Sequence, residues 1–556
     1  MSFLENIFVQ LEQVRDTPIL QEFRDSQLTT VTGRELLGYV ETARAFLKRQ
    51  GIKRGERCAL LAHNSIRWVA MDLAIMAEGL IVVPLYARQA PAEVVAMMKD
   101  CSPALICCGD ATLRDGIVND WRDAPTRQLF DDIFASRNIG AAANTIQLET
   151  TELAESDAVS IIYTSGTSGE PKGVVLTAGN ITHMLGCTSG RLDILMENKG
   201  GHDRVFHYLP FCFAASWIVL LTCLLRRSLL TLNTDLGKLA QDMRAAAPDY
   251  FLNVPALLER MRKGVDEHLW QTGGPAQAIY GRAKAAWIRL QERQPHPGDG
   301  FWLWLAHALV FPTIRKKMIG SNLKALICGS APLNVETQCY FMMLGIPVLQ
   351  GYGLTETTGI CTLDDPRHVE PGRVGPTIEG IEMKLGENDE IIVRGPNIFP
   401  GYWNRPQETA KVLRDGWFHT GDQGEVNAEG NWRIIGRIKN LIILGSGHNV
   451  APEPIEDKLL QHIPRAQQVV LVGNGRGYLS AIVTGRVTRE QVQSALDALN
   501  AQMPHYKQVR AFHIHAEPFS IENGMLTANG KLKRDVIARH LQAEIEKLYS
   551  QKQAVG

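Results

Sequence analysis

The chain has 556 residues, 45% of them apolar, with 26 prolines and 58 basic against 59 acidic side chains, for a net charge of −1. That length exceeds what one core ordinarily holds, so two or more domains are expected. The composition excludes a disordered chain, and the charge balance gives no electrostatic case for nucleic acid. No apolar run reaches the roughly 18 residues of a membrane span; residues 301–311 come nearest and contain His307. The ten cysteines include no C-x-x-C pair and sit mostly in apolar runs, the pattern of reduced core thiols in a cytoplasmic protein. The N-terminus, with Glu5 early, lacks the basic-then-apolar order of a secretory signal.

In chain order, Thr32 and Glu35 have capping-box spacing and open a helix with Leu36, Val40, Ala43 and Leu47 on its apolar face and Gly51 as its stop. Residues 58–62 then read as a strand, 66–77 as a helix, 80–85 as a strand, 92–99 as a helix and 104–108 as a strand. This alternation predicts a parallel, doubly wound sheet.

Residues 163–173 read Tyr-Thr-Ser-Gly-Thr-Ser-Gly-Glu-Pro-Lys-Gly. Glycines let backbone N–H groups turn inward as an anion nest, and hydroxyls and a lysine ammonium add donors for phosphate. Strand-like runs at 158–162 and 174–177 flank the loop, so it joins strand to strand. A Walker loop instead joins strand to helix and follows its lysine with Ser or Thr, whereas Lys172 precedes Gly173.

An apolar stretch follows His207, from Phe211 through Phe213 and Trp217 to Leu224. Residues 263–322 read as a helical insertion with Trp270, Trp287, Trp302 and Trp304, then Arg315, Lys316 and Lys317. Aromatic beside basic fits a membrane-surface patch, an acyl entrance, or core packing with a solvated end. Gly329-Ser330-Ala331-Pro332 and Gly351-Tyr352-Gly353-Leu354-Thr355-Glu356-Thr357 come next. Both fall beyond strand ends, where open α/β sheets bind ligands. Residues 379–425 break into short strands and turns. After residue 438 a small α+β domain is expected, with helices at 451–460, 489–499 and 532–548 and strands at 468–472 and 479–484. Its glycine-rich tract 473–477 reads as a hairpin turn, because no helix follows it.

Taken together and in this order, these motifs resemble the adenylate-forming superfamily of acyl- and aryl-CoA synthetases, luciferases and adenylation domains. Asn64-Ser65-x-x-Trp68, Gly79-x-x-x-Val83-Pro84-Leu85-Tyr86, and Glu522-Asn523-Gly524 ahead of Lys531 are closest to its long-chain fatty acyl-CoA synthetases. The resemblance implies an α/β protein: a large N-terminal domain of doubly wound sheets over 1–437, including a β-rich subdomain near 375–437, and a mobile α+β C-terminal domain over 438–556.

It further implies that Thr164, Ser165, Gly166, Thr167, Ser168, Gly169 and Lys172 hold the phosphates of ATP. Gly329, Ser330 and Ala331 would contact adenine, with Tyr352 stacked on it beside Gly353 and Thr355. Glu356 and Thr164 would hold magnesium, Asp422 the ribose hydroxyls, and Arg437 the nucleotide. Lys439 matches the family's hinge, Gly447 its coenzyme A loop and Lys531 its catalytic lysine, with Glu356 the second catalytic residue. Two departures stand out: Phe213 sits where many long-chain members carry His, and the 444–448 loop reads Leu-Gly-Ser-Gly-His.

The implied reaction activates a carboxylic acid with ATP, as acyl-AMP, and passes the acyl group to coenzyme A with release of pyrophosphate and AMP. A long-chain fatty acid is the expected substrate, and the membrane is touched at most peripherally, on the inner surface. A ligase that stops at acyl-AMP or serves an acyl carrier protein is the main alternative, and an enzyme for shorter or aromatic acids the second. A non-catalytic acyl-adenylate binder is opposed by Lys172, Glu356, Asp422 and Lys531 occurring together.

Overall fold

Apolar runs without polar alternation make strands that are buried on both faces, and two largely parallel sheets are built from such runs here. Ile81–Leu85 is buried at every position, as is Leu105–Cys108. These two lie on either side of Arg57–Leu61 in a six-stranded sheet. Arg127–Leu129 closes one edge; at the other, Ala158–Ser165 runs parallel to Ile81–Leu85 and turns back through Pro171–Thr177 as an antiparallel hairpin. The second sheet has eight strands, with Val348–Tyr352, Ala325–Cys328, Tyr250–Asn253, Arg204–His207, Leu229–Asn233 and Pro18–Arg24 as successive parallel neighbours. Gln27–Thr32 and Thr362–Leu363 cap its edges antiparallel.

The computed structural model describes residues 1–24, 27–135, 150–165, 171–197, 200–463, 465–527 and 530–550. It divides into two units. The first comprises 1–383, 393–418 and 427–432, and the second 384–392, 419–426 and 433–556. The second unit has its own three-stranded sheet, with Ala466–Val472 antiparallel and Val509–His515 parallel to the central Leu479–Gly485. Leu459, Val469, Ala481 and Leu496 meet in its core.

The capping box at Thr32 and Glu35 forms in both directions, and Gly51 ends that helix in the left-handed region at φ +67°. Tract 473–477 is a hairpin connection, as its sequence predicts. The helix expected over 532–548 is instead two, Arg534–His540 and Gln542–Ser550. Leu541, between the two helices, joins Ile537, Phe519 and Met525 in one apolar cluster. The first helix, Phe3–Gln13, and the hairpin after it escape the sequence pattern. The strand Pro18–Arg24 mixes polar with apolar residues and is ordered by pairing with Leu229–Asn233.

Helix Ile66–Ala77 is buried almost throughout, and it contains an acid. Asp72 is wholly buried and accepts a hydrogen bond from Trp217 Nε1 at 3.0 Å, while its other oxygen has no partner among the described residues. Burial raises its pKa from 3.8 to about 7, opposed by the indole hydrogen bond. The folded state thus holds this proton more tightly than the unfolded chain does. The resulting stabilisation is complete below pH 3.8 and is lost as pH rises through about 7. Asp72→Asn keeps an acceptor for Trp217 without a charge. Its free energy of unfolding should match wild type near pH 4 and exceed it at pH 8 by an amount on the order of a few kcal/mol. A wild-type-to-mutant gap that does not change between those pH values would show that the carboxyl does not titrate in this window.

Candidate functional site

Hairpin register decides what faces what beside the glycine-rich loop. Thr164 is the partner of Lys172, and Tyr163 of Gly173. A Cβ on Gly173 would come within 2.7 Å of Ile161 and 3.3 Å of Trp403. The bare backbone there lets another segment approach: Trp403 N–H donates to Gly173 O at 2.7 Å, Val175 N–H to Gly401 O at 3.2 Å, and Tyr402 bridges to Val174.

That pairing sets Tyr402 between two expected site residues. Its hydroxyl donates to Glu356 Oε1 at 2.8 Å, and Lys172 Nζ lies 5.3 Å from its ring centroid. Lys172 also pairs with Glu408 at 2.6 Å. Glu408 stands in the first turn of helix Pro406–Val412. The hydrogen bond from Lys172, reinforced by one from Lys411, holds its carboxyl down at about 2. Glu356 Oε2 accepts no hydrogen bond from the described residues. A hard carboxylate oxygen left open in this way suits magnesium.

The expected adenine side is shaped by backbone. Gly329 and Gly351 adjoin at the ends of neighbouring parallel strands, and a Cβ on Gly329 would lie 3.2 Å from Gly351 O. Ser330 follows in the left-handed region at φ +71°, a conformation a non-glycine residue adopts at a cost. A Cβ on Gly353 would lie 2.4 Å from Gly359 O, so only glycine lets the strand turn there. The turn Thr355–Thr357 holds Glu356, closed by Leu354 N–H donating to Thr357 Oγ1 at 2.9 Å. Tyr352 is mostly buried, whereas Ser330 and Ala331 are exposed. Gly166, Thr167, Ser168, Gly169 and the Ser165 side chain lie outside the described residues.

The apolar stretch after His207 forms helix Ala214–Leu225. His207 stacks on Phe211 at 4.9 Å, and its Nε2 lies 2.6 Å from Ser216 Oγ. Burial lowers the imidazole pKa to about 4, keeping the ring neutral. Phe213 packs against Tyr86 at 5.9 Å.

In the second unit, Asp422 is buried and pairs with Arg437 at 2.6 Å. Its N–H donates to Thr420 Oγ1, which in turn donates to Ile391 O. Lys439 occupies the single turn Ile438–Asn440. Gly447 sits at φ +83° in the turn of the hairpin Ile442–Ile443/Asn449–Val450. Beside it, His448 stacks on Tyr506 at 4.4 Å. Lys531 is exposed at the base of a turn, where its N–H donates to Thr527 Oγ1 and its carbonyl accepts from Thr527 N–H.

Within the first unit the structure therefore places Lys172 and Glu356 about Tyr402, with Thr164 opposite Lys172 in the hairpin, and Gly329 beside Gly351. Tyr402, Trp403 and Glu408 were not found from sequence. They stand in a stretch that reads as turns and short strands, and an acid in a helix's first turn is too common to flag.

A family model described as AMP-binding enzyme matches residues 8–403, and one described as AMP-binding enzyme C-terminal domain matches 439–553. The chain is 26% identical over 583 aligned positions to the long-chain-fatty-acid–CoA ligase FadD15 of Mycobacterium bovis, covering 97% of this chain and 96% of that one. It is 26% identical over 575 positions to long chain acyl-CoA synthetase 3 of Arabidopsis thaliana, covering 91% and 84%. Among solved structures, an anthranilate CoA ligase in complex with anthranoyl-AMP superposes with a TM-score of 0.75 at 18% identity, covering 97% of both chains. A Mycobacterium tuberculosis fatty acyl CoA synthetase does so with a TM-score of 0.65 at 23%, covering 98% and 100%.

If Lys172 exchanges Glu408 for phosphate, the two partners should respond differently to mutation. Lys172→Met should raise the KM for ATP about ten- to a hundredfold, the scale of a hydrogen bond to a charged group. Glu408→Gln, which retains the lysine, should leave that KM within a few-fold of wild type. Equal losses in the two variants, measured by pyrophosphate release, would make the pair a purely structural one.

Proposed function

The chain belongs to the AMP-binding enzyme family, and from that premise we propose that it activates a long-chain fatty acid with ATP and transfers it to coenzyme A. The single observation that carries the reading is the placing of Lys172 and Glu356 about Tyr402, with Thr164 opposite Lys172 in the hairpin, beside the glycine-rich loop. The acid's carboxylate attacks the α-phosphorus of ATP in line and pyrophosphate leaves; the coenzyme A sulfur then attacks the acyl carbonyl and AMP leaves.

Two anions meet in the first step, so positive charge has to stand between them. Lys531 is the residue we assign to that role. Magnesium, held by Glu356 and Thr164, would supply further charge when bound. Lys172 and the loop hydroxyls hold the departing pyrophosphate, where positioning dominates. Gly329, Ser330, Ala331, Tyr352, Gly353 and Thr355 form the adenine side. Asp422, with its acceptor-only carboxylate, takes the ribose, with Arg437 beside it.

We assign 1–437 to acid, ATP and magnesium, and 438–556 to a mobile C-terminal domain carrying Lys531, with Lys439 as its pivot and Gly447 on the thiol side. The ten cysteines, none in a disulfide, support a reducing, cytoplasmic setting. A carrier-protein thiol is the second acceptor reading, favoured by the altered Leu-Gly-Ser-Gly-His order at 444–448.

Lys531→Ala should slow acyl-AMP formation by about 2–4 kcal/mol in barrier, while thioester formation from supplied acyl-AMP survives much better. Equal loss of both half-reactions counts against the assignment. Over a panel of acids assayed with and without coenzyme A, activity should climb with chain length, each buried methylene adding roughly 0.8 kcal/mol, and then level off. Acetate or a benzoate as best substrate refutes the long-chain reading and leaves the adenylation reading standing.

A further inference from the structure

Helix Pro91–Cys101 carries an acid, Asp100, in its last turn, the end at which the helix dipole disfavours negative charge. An acid kept there needs partners, and each of its oxygens has one. Oδ2 accepts a hydrogen bond from the Tyr163 hydroxyl at 2.7 Å, and Oδ1 accepts one from Arg405 Nη2 at 3.2 Å. The carbonyls at this helix end are served by a different group. Arg57 donates to Cys101 O and to Ser102 O, each at 2.8 Å, and lies over the ring of Trp403 at 5.4 Å.

Both partners of Asp100 lead to the glycine-rich loop. Tyr163 opens that loop and pairs with Gly173 across the hairpin, one step from the Thr164–Lys172 pair. A Cβ on Gly173 would lie 3.2 Å from the Tyr163 ring, so phenol and bare backbone are in contact. Arg405 is the N-cap of helix Pro406–Val412 and belongs to a closed knot. Tyr402 N–H donates to Thr409 Oγ1 at 2.9 Å, and that hydroxyl donates to Arg405 O at 2.9 Å. Arg405 N–H returns to Tyr402 O at 3.2 Å. Tyr402 and Glu408, which both touch Lys172, stand in this same segment. Strand register decides which residues face each other, but it leaves open where a long lysine side chain ends. Groups fixed around Lys172 remove that rotamer freedom before a ligand arrives.

We propose that Asp100 is a positioning residue for phosphate binding. One of its oxygens holds Tyr163 on the first strand of the hairpin. The other holds Arg405, and through it the knot that places Tyr402 and Glu408 against Lys172 on the second strand. Asp100 itself stays away from the ligand and acts through the lysine. The proposal rests on the reading of residues 163–173 as the loop that takes the phosphates of ATP.

The test measures, on the full chain, binding of ATP with magnesium by calorimetry and the KM for the acid by pyrophosphate release. Asp100→Asn keeps the size and one acceptor and loses the ion pair with Arg405. It should weaken ATP binding about three- to tenfold, within the range of coupling through shared partners. The KM for the acid should stay within about twofold of wild type, because sites without shared partners respond independently. Added to Lys172→Met, Asp100→Asn should weaken ATP binding no further, since the group it positions is already gone. Tyr163→Phe removes one hydroxyl and keeps the ring against Gly173. It should weaken ATP binding by a smaller factor at an unchanged melting temperature, so the result does not hang on how Asp100→Asn folds. Wild-type ATP affinity in Asp100→Asn or in Tyr163→Phe overturns the proposal and leaves the phosphate-loop reading standing. So does a loss that adds in full to that of Lys172→Met, or a KM for the acid that rises as much as ATP binding falls. Wild type that binds no ATP strikes the phosphate-loop reading, and this proposal with it.

Discussion

The arrangement around Tyr402 depends on one close approach, that of segment 399–403 to the hairpin strand Pro171–Thr177. Gly173 makes it sterically possible, and backbone hydrogen bonds from Trp403 and Val175 fix its register. Register matters because side chains alternate across a strand, so a slip of one residue would turn Tyr402 to the opposite face. In the register observed, one phenol touches both Lys172, through its ring, and Glu356, through its hydroxyl. Lys172 and Glu356 are thereby held apart by a neutral group that interacts favourably with each. Direct Lys172–Glu356 pairing would neutralise both; Glu408 takes the lysine instead, from a separate helix.

The strand ends around Gly329 and Gly351 show the same economy of side chains. Gly329, Gly351 and Gly353 sit where strands end and backbones come within contact distance. Ser330 accepts a left-handed backbone between them. Such positions are costly to stability, and they persist because the flanking strands Ala325–Cys328 and Val348–Tyr352 are locked in a parallel register on the same sheet. The rigid sheet interior and the strained rim belong to one design, in which the strand ends present backbone groups to the surface.

Much of this was legible in sequence, and the reasons differ by element. The buried strands declared themselves as unbroken apolar runs, and the helix after Thr32 by a cap that forms as written. The loop at 163–173 was legible because repeated hydroxyls and glycines before Pro-Lys-Gly have no use in an ordinary turn. Tyr402 and Glu408 were not legible, because their roles arise from a contact between segments more than 200 residues apart in the chain. The strand Pro18–Arg24 was missed for the same reason: its partner Leu229–Asn233 supplies the order that its own pattern lacks. Helix 532–548 reads as one helix because Ile537, Leu541 and Ile545 keep helical spacing and meet one small apolar cluster, while the chain in fact forms two helices with Leu541 between them.

Two buried ionisable groups in the first unit act on one helix. Asp72 and His207 are wholly buried, and burial drives each toward its neutral form, the acid upward and the imidazole downward. Each makes a hydrogen bond to a side chain of helix Ala214–Leu225, Trp217 in one case and Ser216 in the other. Two uncharged polar contacts therefore pin the rotation of that apolar helix, which nonspecific packing alone would leave free to slide. At Glu408 the opposite holds: hydrogen bonds from Lys172 and Lys411 stabilise its charged form. A helix fixed in this way keeps a defined position against helix Ile66–Ala77 and strand Arg204–His207.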